Sequence, residues 1–401
     1  MPKRILLAWE LGAGRGHLLN LGWIADVLRG RGFEPVFALQ RLDGIETIRG
    51  SIGTSEVYQA PVWPGLIDRS AYRSPGQDVT FGDVLVGLGL GSPMAVEGML
   101  RAWDQLIVRL APAAVVADFA PACLAAVRGK VPTVAVGDGF TLPPATLERF
   151  TILGNEPGKP KFDETETLSV LNDVLLKQGR GELRALPELF IADRASASSF
   201  VELDPYRNDR KEPLVAPWVP DWNRSVSMSR DEIFAYFSID TETRSTIFLA
   251  LTQVVRAGLR VRVYIPQLDT ESSSWLTANG VSVESAPVPF EQIQRNASLL
   301  ISLGSLGFVS CGLVSGIPQL VIPPSLATRA TGFAFERLGA GRSVLLNPAS
   351  PIEPTLLAQV IAEAYENTRF SDKAKSLAPD FARRLEPNPA EVAADLVSEI
   401  V

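Results

Sequence analysis

Arg4-Ile-Leu-Leu-Ala-Trp9, followed by Leu11-Gly-Ala-Gly-Arg-Gly-His17, is the stretch that decides the fold. The first segment is a continuous apolar run, typical of a strand that is buried on both faces. The glycines of the second segment permit a tight turn, and the apolar residues after it have helical spacing. Pro35-Val-Phe-Ala-Leu39 is then predicted to be a second strand. A strand, a helix and a strand within about 35 residues form the building block of parallel, doubly wound sheets.

Length, charge and composition restrict the class of protein. The 401 residues suffice for two α/β domains of about 200 residues each, and 46% hydrophobic residues can form their cores without metal or disulfide. A net charge of −7 without a long Lys/Arg run argues against a nucleic-acid partner. Cys123 and Cys311 each lie inside an apolar stretch and are predicted to be buried rather than paired.

The chain contains no segment that we expect to enter a membrane. No stretch approaches the roughly 18 apolar residues that span a bilayer. The apolar run Ile5–Trp9 is too short for the core of a signal peptide. We therefore expect a cytoplasmic protein.

A second α/β series follows a proline-rich join. The segment Asp204–Met228 contains four prolines and is the best candidate for a linker between domains. After it, a strand is predicted at Glu232–Phe237, a helix at Glu242–Ala257 and a strand at Arg260–Ile265. Two successive α/β series predict two similar domains.

His17 is the first candidate for chemistry. It is the only histidine of the chain and follows a strand, where open α/β proteins bind their ligands. Gly14 and Gly16 let a ligand approach the main chain and the helix N-terminus. The turn is neither a P-loop nor a good dinucleotide fingerprint. The alternative is that His17 only caps its helix or bonds a carbonyl.

Asp118 is the second candidate, because it directly follows the apolar run Ala114–Ala117. If the two strands are neighbours, this carboxylate and His17 share one crevice. A carboxylate bonded to a histidine fixes its tautomer and supports it as a general base. The alternative is that Asp118 caps the helix predicted to start near Pro121.

A third candidate site lies in the second series. The strand Leu299–Leu303 leads into Gly304-Ser-Leu-Gly307-Phe308 and a predicted helix. The free N–H groups at that helix N-terminus suit a pyrophosphate. In the first series, the Gly-, Pro- and aromatic-rich segment Ala60–Pro93 is long enough to shape a pocket.

Together these motifs resemble the family 1 glycosyltransferases of bacteria and plants, which include antibiotic and flavonoid glycosyltransferases. The resemblance covers most of the chain and implies the α/β GT-B fold, with two Rossmann-like domains whose parallel sheets face a central cleft. The segments that carry it are Gly14–His17, Arg31–Glu34, Asp118, Ala125–Pro132, Pro287–Ile293, Ser302–Leu313, Gly316–Pro323 and Leu338–Gly341.

The resemblance also implies a division of labour between the domains. Residues 1–205 would form the acceptor-binding domain, 206–228 the linker and 229–385 the nucleotide-sugar-binding domain. Residues 386–401 would form a helix that packs back on the N-terminal domain.

By the same resemblance, His17 deprotonates the acceptor hydroxyl and Asp118 orients the imidazole. The oxygen attacks the anomeric carbon in one displacement, so the configuration inverts. The helix N-terminus at Gly304–Gly307 holds the nucleotide without a metal, and the sequence contains no Asp-x-Asp pair. The nucleotide sugar, UDP- or dTDP-linked, is a substrate, and we expect no cofactor.

The donor side departs from the family pattern. Leu303-Gly-Ser305 replaces His-Gly-Gly, Phe308 replaces a Ser/Thr that contacts phosphate, Cys311 aligns with an acidic residue, and Ala327-Thr328 aligns with an Asp/Glu-Gln pair. Each missing hydrogen bond to a charged group is worth about 1.5–3 kcal/mol. The remaining donor-side candidates are Gly304, Ser305, Leu306, Gly307, Phe308, Thr328 and Arg329, and for Arg329 a solvated surface role is the alternative.

The leading hypothesis is an inverting, metal-independent transferase acting on a small-molecule acceptor. The acceptor-side candidates are Gly14, Gly16, Trp63, Phe81 and Leu88, and for each apolar member a position in the core is the alternative. A GT-B protein that binds a ligand or partner without catalysis is the alternative, because of the donor-side losses. A third hypothesis keeps catalysis with a donor sugar that has few hydroxyls. The sequence leaves a homodimer open.

Overall fold

The chain divides into two compact units. The computed structural model describes residues 2–12, 15–68, 77–153, 158–219, 230–237, 241–346 and 352–401. Unit 1 consists of Met1–Val201, Pro205–Ala216 and Glu386–Val401. Unit 2 consists of Glu202–Asp204 and Pro217–Leu385.

The segment predicted as the start of the linker differs from expectation. Residues 206–216 belong to unit 1 rather than to a free connection. Tyr206 is fully buried, and the Arg210 guanidinium donates to the carbonyls of Gly139 and Leu142. The boundary between the units therefore lies later in the chain than the proline-rich pattern predicts, because Tyr206 and Arg210 anchor these residues to unit 1.

Unit 1 is built on a six-stranded parallel sheet with the order β3-β2-β1-β4-β5-β6. Its strands are β1 Arg4–Trp9, β2 Glu34–Leu39, β3 Val57–Gln59, β4 Ala114–Asp118, β5 Thr133–Asp138 and β6 Arg194–Ser198. Its helices are α1 Gly16–Gly30, α2 Arg49–Ile52, α3 Pro64–Ile67, α4 Phe81–Val86, α5 Pro93–Leu110, α6 Pro121–Val127 and α7 Glu164–Lys177, with short 3₁₀ helices at Ile45–Ile48 and Leu186–Phe190.

The quoted N-terminal stretch folds as its pattern predicts. Ile5–Trp9 of β1 is buried, as expected for the centre of a sheet that has helices on both faces. Leu21 and Leu28 of α1 are fully buried against this sheet. β1 pairs in parallel with β2 on one side and with β4 on the other.

Unit 2 repeats this architecture. Its strands are β7 Glu232–Tyr236, β8 Arg260–Tyr264, β9 Ser282–Glu284, β10 Ala297–Ser302, β11 Gln319–Val321 and β12 Gly341–Ser343. Its helices are α8 Thr241–Arg256, α9 Thr270–Ala278, α10 Phe290–Asn296, α11 Leu306–Ser315, α12 Leu326–Arg337, α13 Pro354–Glu366 and α14 Thr368–Arg383. The order β12-β11-β10-β7-β8-β9, counted from the first strand of the unit, is the same 3-2-1-4-5-6 order as in unit 1. This is the Rossmann strand order.

The last helix, α15 (Pro389–Ile400), is part of unit 1. It contacts α1 and the strands β4 to β6, and Ala394 and Val397 are fully buried there. Arg31, directly after α1, forms ion pairs with Glu391 and Asp395 of this helix. No helix in the described part of the chain combines the length and apolarity that crossing a bilayer requires.

Candidate active site

The strand order places the candidate site of unit 1 at the carboxyl ends of β1 and β4. In a sheet of this order the strand sequence reverses between the first and the fourth strand, and ligands bind at that switch point. Trp9, the last residue of β1, lies opposite Asp118, the last residue of β4. His17 follows in the first turn of α1. Two segments about 100 residues apart in sequence therefore meet at the carboxyl end of the sheet.

His17 and Asp118 form a hydrogen-bonded pair. The His17 Nδ1 atom lies 2.8 Å from Asp118 Oδ1, and Asn20 Nδ2 donates to Asp118 Oδ2 at 2.9 Å. The Asp118 side chain is 2% exposed and the His17 side chain 16% exposed. Because the carboxylate accepts at Nδ1, the imidazole proton is held there and Nε2 keeps its lone pair.

The two alternative roles that the sequence left open do not describe these residues. The N-cap of α6 is Ala120, which makes no side-chain cap bond, and both Asp118 oxygens are engaged by His17 and Asn20. The N-cap of α1 is Arg15, again without a side-chain cap. His17 and Asp118 therefore bind each other rather than their own helix ends.

The imidazole is enclosed by aromatic rings and by a glycine. Trp9 stacks on it with ring centroids 5.6 Å apart, and Phe119 lies 5.9 Å away. Gly12 has φ +93°, and a Cβ at this position would lie 2.3 Å from His17 Nε2. Gly12 therefore meets both conditions that exclude other residues, a left-handed backbone and a close approach. The predicted residue Gly14 lies outside the described residues, and Gly16 has open space around it.

Opposing influences act on the pKa of His17. Burial lowers it, whereas the charge of Asp118, the hydrogen bond to Asp118 and the charge of Asp138 raise it. The balance leaves the pKa above the ordinary value of 6.5. A base with a raised pKa takes up a proton more readily, and it requires a higher pH to be neutral at rest.

Sequence reasoning missed Asn20 and Asp138. Asp138 ends β5, the strand next to β4, and its Oδ1 accepts from Thr141 N at 2.7 Å. Burial raises its pKa, against bonds from Thr141 and the charge of His17. Both residues had a signal: Asn20 lies one helical turn after His17, and Asp138, like Asp118, directly follows an apolar run.

Two predicted acceptor-side residues are in the core, which corrects their assignment to a ligand-facing surface. Trp63 is 2% exposed and Phe81 is 0% exposed, while Leu88 is partly buried. The space that Trp63 shares with α5 and α6 measures only about 10 Å³, too small for an organic acceptor. Trp63 and Phe81 lie in the interior of unit 1 because removing their large apolar surface from water stabilises the fold.

Phe81 supports the site indirectly. Its ring lies 5.5 Å from that of Phe119, which is itself in contact with His17. The same ring contacts Phe140, Phe150 and Phe190, with centroids 5.0 to 5.3 Å away. This aromatic cluster supports Phe119, which adopts the unusual φ of +49°.

In unit 2, the predicted donor-side turn follows β10. Gly304 has φ +85°, and a Cβ there would lie 2.6 Å from Val321 and 3.1 Å from the Thr328 carbonyl oxygen. The Gly304 N–H donates to Ser302 Oγ. α11 begins after Ser305 without a side-chain cap, and Ser305 and Gly307 are exposed. An uncapped, accessible helix start is a place where an anion is stabilised.

Phe308 packs over the strand ends of unit 2 rather than offering a hydrogen bond. Its ring contacts Tyr236, Phe234 and Phe290, with centroids 5.4 to 6.4 Å away. Tyr236 also stacks on Tyr264 at 6.0 Å. Leu306 and Phe308 are partly buried. The turn therefore presents main-chain N–H groups beside an aromatic surface.

Thr328 and Arg329 lie in the first turn of α12. The Thr328 hydroxyl bonds both the N–H and the carbonyl of Ser325, and its N–H donates to Ser325 Oγ, so a capping box engages it. Arg329 is partly buried. The structure brings Gly304 beside Thr328, but the Thr328 hydroxyl is already used by its own helix.

No protein-family model and no curated protein sequence matches the chain. Solved structures do match over its full length. The calicheamicin glycosyltransferase CalG4 is 19% identical with a TM-score of 0.67, covering 100% of this chain and 98% of that one. The spinosyn rhamnosyltransferase SpnG complexed with thymidine diphosphate is 17% identical with a TM-score of 0.66, covering 98% and 100%. The complex of SpnG with spinosyn aglycone gives the same identity and TM-score, covering 98% and 99%.

The chain has the GT-B fold. Two units with six-stranded parallel sheets in Rossmann order match these glycosyltransferases from end to end, so the predicted fold class is confirmed. At such low identity the likeness concerns the fold, and function has to be argued from the site.

Proposed function

We propose that the protein is a glycosyltransferase that moves a sugar from a nucleotide-sugar donor to a hydroxyl of a small-molecule acceptor. The observation that carries the proposal is the His17–Asp118 pair, 2.8 Å apart at the switch point of the unit 1 sheet. A neutral imidazole held by a buried carboxylate is the arrangement of a general base.

In the proposed mechanism His17 Nε2 removes the proton of the acceptor hydroxyl. The oxygen forms a bond to the anomeric carbon while the bond from that carbon to the nucleoside diphosphate breaks. One displacement of this kind inverts the configuration. The Nδ1–H bond to Asp118 stabilises the imidazolium that results, and Asn20 fixes the carboxylate in its orientation.

The donor would bind unit 2 through its diphosphate. The uncapped start of α11 supports this assignment, because helix N-terminal N–H groups and the helix dipole favour phosphate oxygens. SpnG has been crystallised with thymidine diphosphate, which supports a dTDP-linked donor here, and a UDP-linked donor has the same diphosphate. We propose a metal-independent reaction, in which these N–H groups stabilise the leaving group.

The acceptor is proposed to be a small molecule. The structure of SpnG complexed with spinosyn aglycone supports a small-molecule acceptor here. In this chain the base, His17, is enclosed by Trp9 and Phe119. Aromatic rings beside the base would favour an apolar skeleton around the reacting hydroxyl.

A binding protein without catalysis is the second candidate. Phe308 stands where a hydroxyl would contact phosphate in the family pattern, and the Thr328 hydroxyl is engaged by Ser325. Both features remove hydrogen bonds to a nucleotide-sugar donor and leave the His17–Asp118 pair unchanged.

One experiment separates the two candidates. The protein is incubated with UDP-glucose, dTDP-glucose or dTDP-rhamnose and a panel of phenols and hydroxylated macrolactones. Mass spectrometry then searches for acceptors heavier by one sugar, and thermal shift measures donor binding. The proposal expects at least one sugar adduct of inverted configuration. Donor binding without any adduct or nucleotide release would favour the binding protein, and absence of both would refute the proposed function.

A further inference from the structure

Glu10 is a buried carboxylate that the proposed mechanism does not use. It directly follows β1 and is 0% exposed. Its Oε2 atom accepts from Trp63 Nε1 at 2.9 Å and from Ala122 N at 3.0 Å, and its Oε1 atom accepts from Cys123 N. Its carbonyl accepts from Gln40 Nε2 at 2.7 Å. Each polar atom of the residue's carboxylate is therefore bonded.

The partners of Glu10 belong to the segments that surround the His17–Asp118 pair. Ala122 and Cys123 supply the first-turn N–H groups of α6, four and five residues after Asp118. Trp63 is the N-cap of α3. The carboxylate thus connects the end of β1 to the helix after β4 and to the segment before α4.

A short path leads from Glu10 to both members of the pair. The next residue, Leu11, donates its N–H to the Phe119 carbonyl at 3.1 Å, which joins the loop after β1 to the loop after β4. Gly12, one residue further, lies against His17 Nε2. A shift of the β1 end relative to α6 would therefore change the distance between His17 and Asp118.

Trp63, Ala122 and Cys123 each bond the carboxylate through an N–H group. An ionised carboxylate satisfies them, whereas a protonated or amidated group would set a donor against one of the three. Burial raises the pKa of Glu10 to about 7, although the bonds from Trp63, Ala122 and Cys123 lower it. Burying the Glu10 carboxylate therefore costs desolvation free energy, which an apolar side chain at the same position would not cost.

We propose that Glu10 is a positioning residue for the His17–Asp118 pair: its carboxylate, held by Trp63, Ala122 and Cys123, fixes the loop before His17 against the loop that carries Asp118. This role rests on the proposed function only for its effect on turnover. The geometry of the pair can be measured without any substrate.

The lone histidine makes that measurement direct. In protein labelled at the imidazole, NMR reports the titration of His17 alone, since the chain has one histidine. The influences that raise its pKa are the charge and hydrogen bond of Asp118 and the charge of Asp138. A change in this pKa on altering Glu10 therefore reports a change in the bond of His17 to Asp118 or in its distance from Asp138.

The test compares Glu10→Gln with a control, Asp193→Asn. Asp193 also accepts from a main-chain N–H, that of Thr133 at 2.8 Å, but it lies at the amino ends of β5 and β6, opposite the sheet end that carries the His17–Asp118 pair. We expect Glu10→Gln to lower the His17 pKa by about one unit, because its bond to Asp118 loosens. The control should leave the His17 titration unchanged. An unchanged titration in a folded Glu10→Gln protein would overturn the proposal.

Trp63→Phe keeps the test decisive if Glu10→Gln does not fold. It removes one donor and leaves no buried donor unpaired, so we expect the same downward shift at smaller size. A folded Trp63→Phe protein with wild-type His17 titration would then overturn the proposal.

Turnover separates this proposal from the proposed function. Glu10→Gln should lower kcat about tenfold without changing the KM of the donor, since misplacement of a base costs rate rather than donor binding. A shifted His17 pKa together with no transferase activity in wild-type protein would support the positioning role and refute the transferase.

Discussion

The two units have the same strand order and differ at the same place. α6 and α11 are equivalent helices, because each follows the fourth strand of its unit. In unit 1 the first-turn N–H groups of α6 are occupied by the Glu10 carboxylate. In unit 2 α11 begins without a side-chain cap. The equivalent helix N-termini thus differ: a side chain of the chain itself occupies the one in unit 1, and the one in unit 2 is accessible to an anion.

The ends of the fourth strands show the same contrast. Asp118 at the end of β4 binds His17 and Asn20, which come from another segment of unit 1. Ser302 at the end of β10 accepts from its own turn, through the Gly304 N–H. Under the proposed function, the switch point of unit 1 serves proton transfer and that of unit 2 binds the diphosphate anion. The predictions below test whether the two functions are separable in this way.

The largest effect is expected for His17→Ala, which removes the proposed base from unit 1. Loss of a general base lowers rates by about 10²–10⁴-fold, so transfer should fall close to the background rate. Binding of dTDP or UDP, measured by calorimetry, should stay at the wild-type value because α11 is in the other unit. Retained turnover would show that His17 is not the base, and a loss of nucleotide binding would show that the units do not act separately.

Asp118→Asn is expected to lower kcat by about 10²-fold, because the imidazolium loses its charged partner. It should also move the pH profile. Activity requires neutral His17 and therefore rises with pH through the raised His17 pKa. Without the Asp118 charge that pKa falls, so the acid limb of kcat/KM should move to lower pH as the maximum drops. A limb that stays in place would contradict the pairing as the source of the raised pKa.

Gly304→Ala is expected to act only on unit 2. The residue has φ +85° and its Cβ would lie 2.6 Å from Val321, so the turn before α11 must shift. We expect nucleotide affinity to fall about tenfold, the loss of roughly one hydrogen bond to a charged group. Gly339→Ala is the matched control, since it has φ +73° and its nearest atom is 3.7 Å away. Equal affinity losses in both variants would indicate general destabilisation.

The fold, and His17 and Asp118 as candidate residues, could be predicted from the sequence because each depends on a local pattern. Apolar runs, the glycine turn and the lone histidine lie within a few residues of one another, and Asp118 ends a clear strand. The sequence alone left a capping role open for both residues, and their roles as a pair came from the family resemblance. The pairing of β1 with β4 in the structure then brings the two together.

The parts that sequence missed depend on distant partners. Glu10 appears as one polar residue at the end of an apolar run, and its partners lie 53, 112 and 113 residues away. The sequence leaves open whether Trp63 lines a ligand pocket or lies in the core, because nothing local reveals that its indole N–H is bound to Glu10. The same holds for Phe81, since the rings of its cluster come from separate segments.

The smallest effect is expected for Phe308→Ser, which asks whether the aromatic surface of unit 2 weakens diphosphate binding. A hydroxyl in the first turn of α11 could donate to a phosphate oxygen, so dTDP or UDP affinity should rise about threefold, part of the worth of one such bond. Loss of the ring contacts with Tyr236 and Phe290 should lower the melting temperature at the same time. Phe308→Leu, which removes the ring without adding a hydroxyl, is the control. If both variants weaken binding equally, the Phe308 ring itself contributes to nucleotide binding. The aromatic residues around it would then be part of the donor site, and Phe308 would not be a lost phosphate contact.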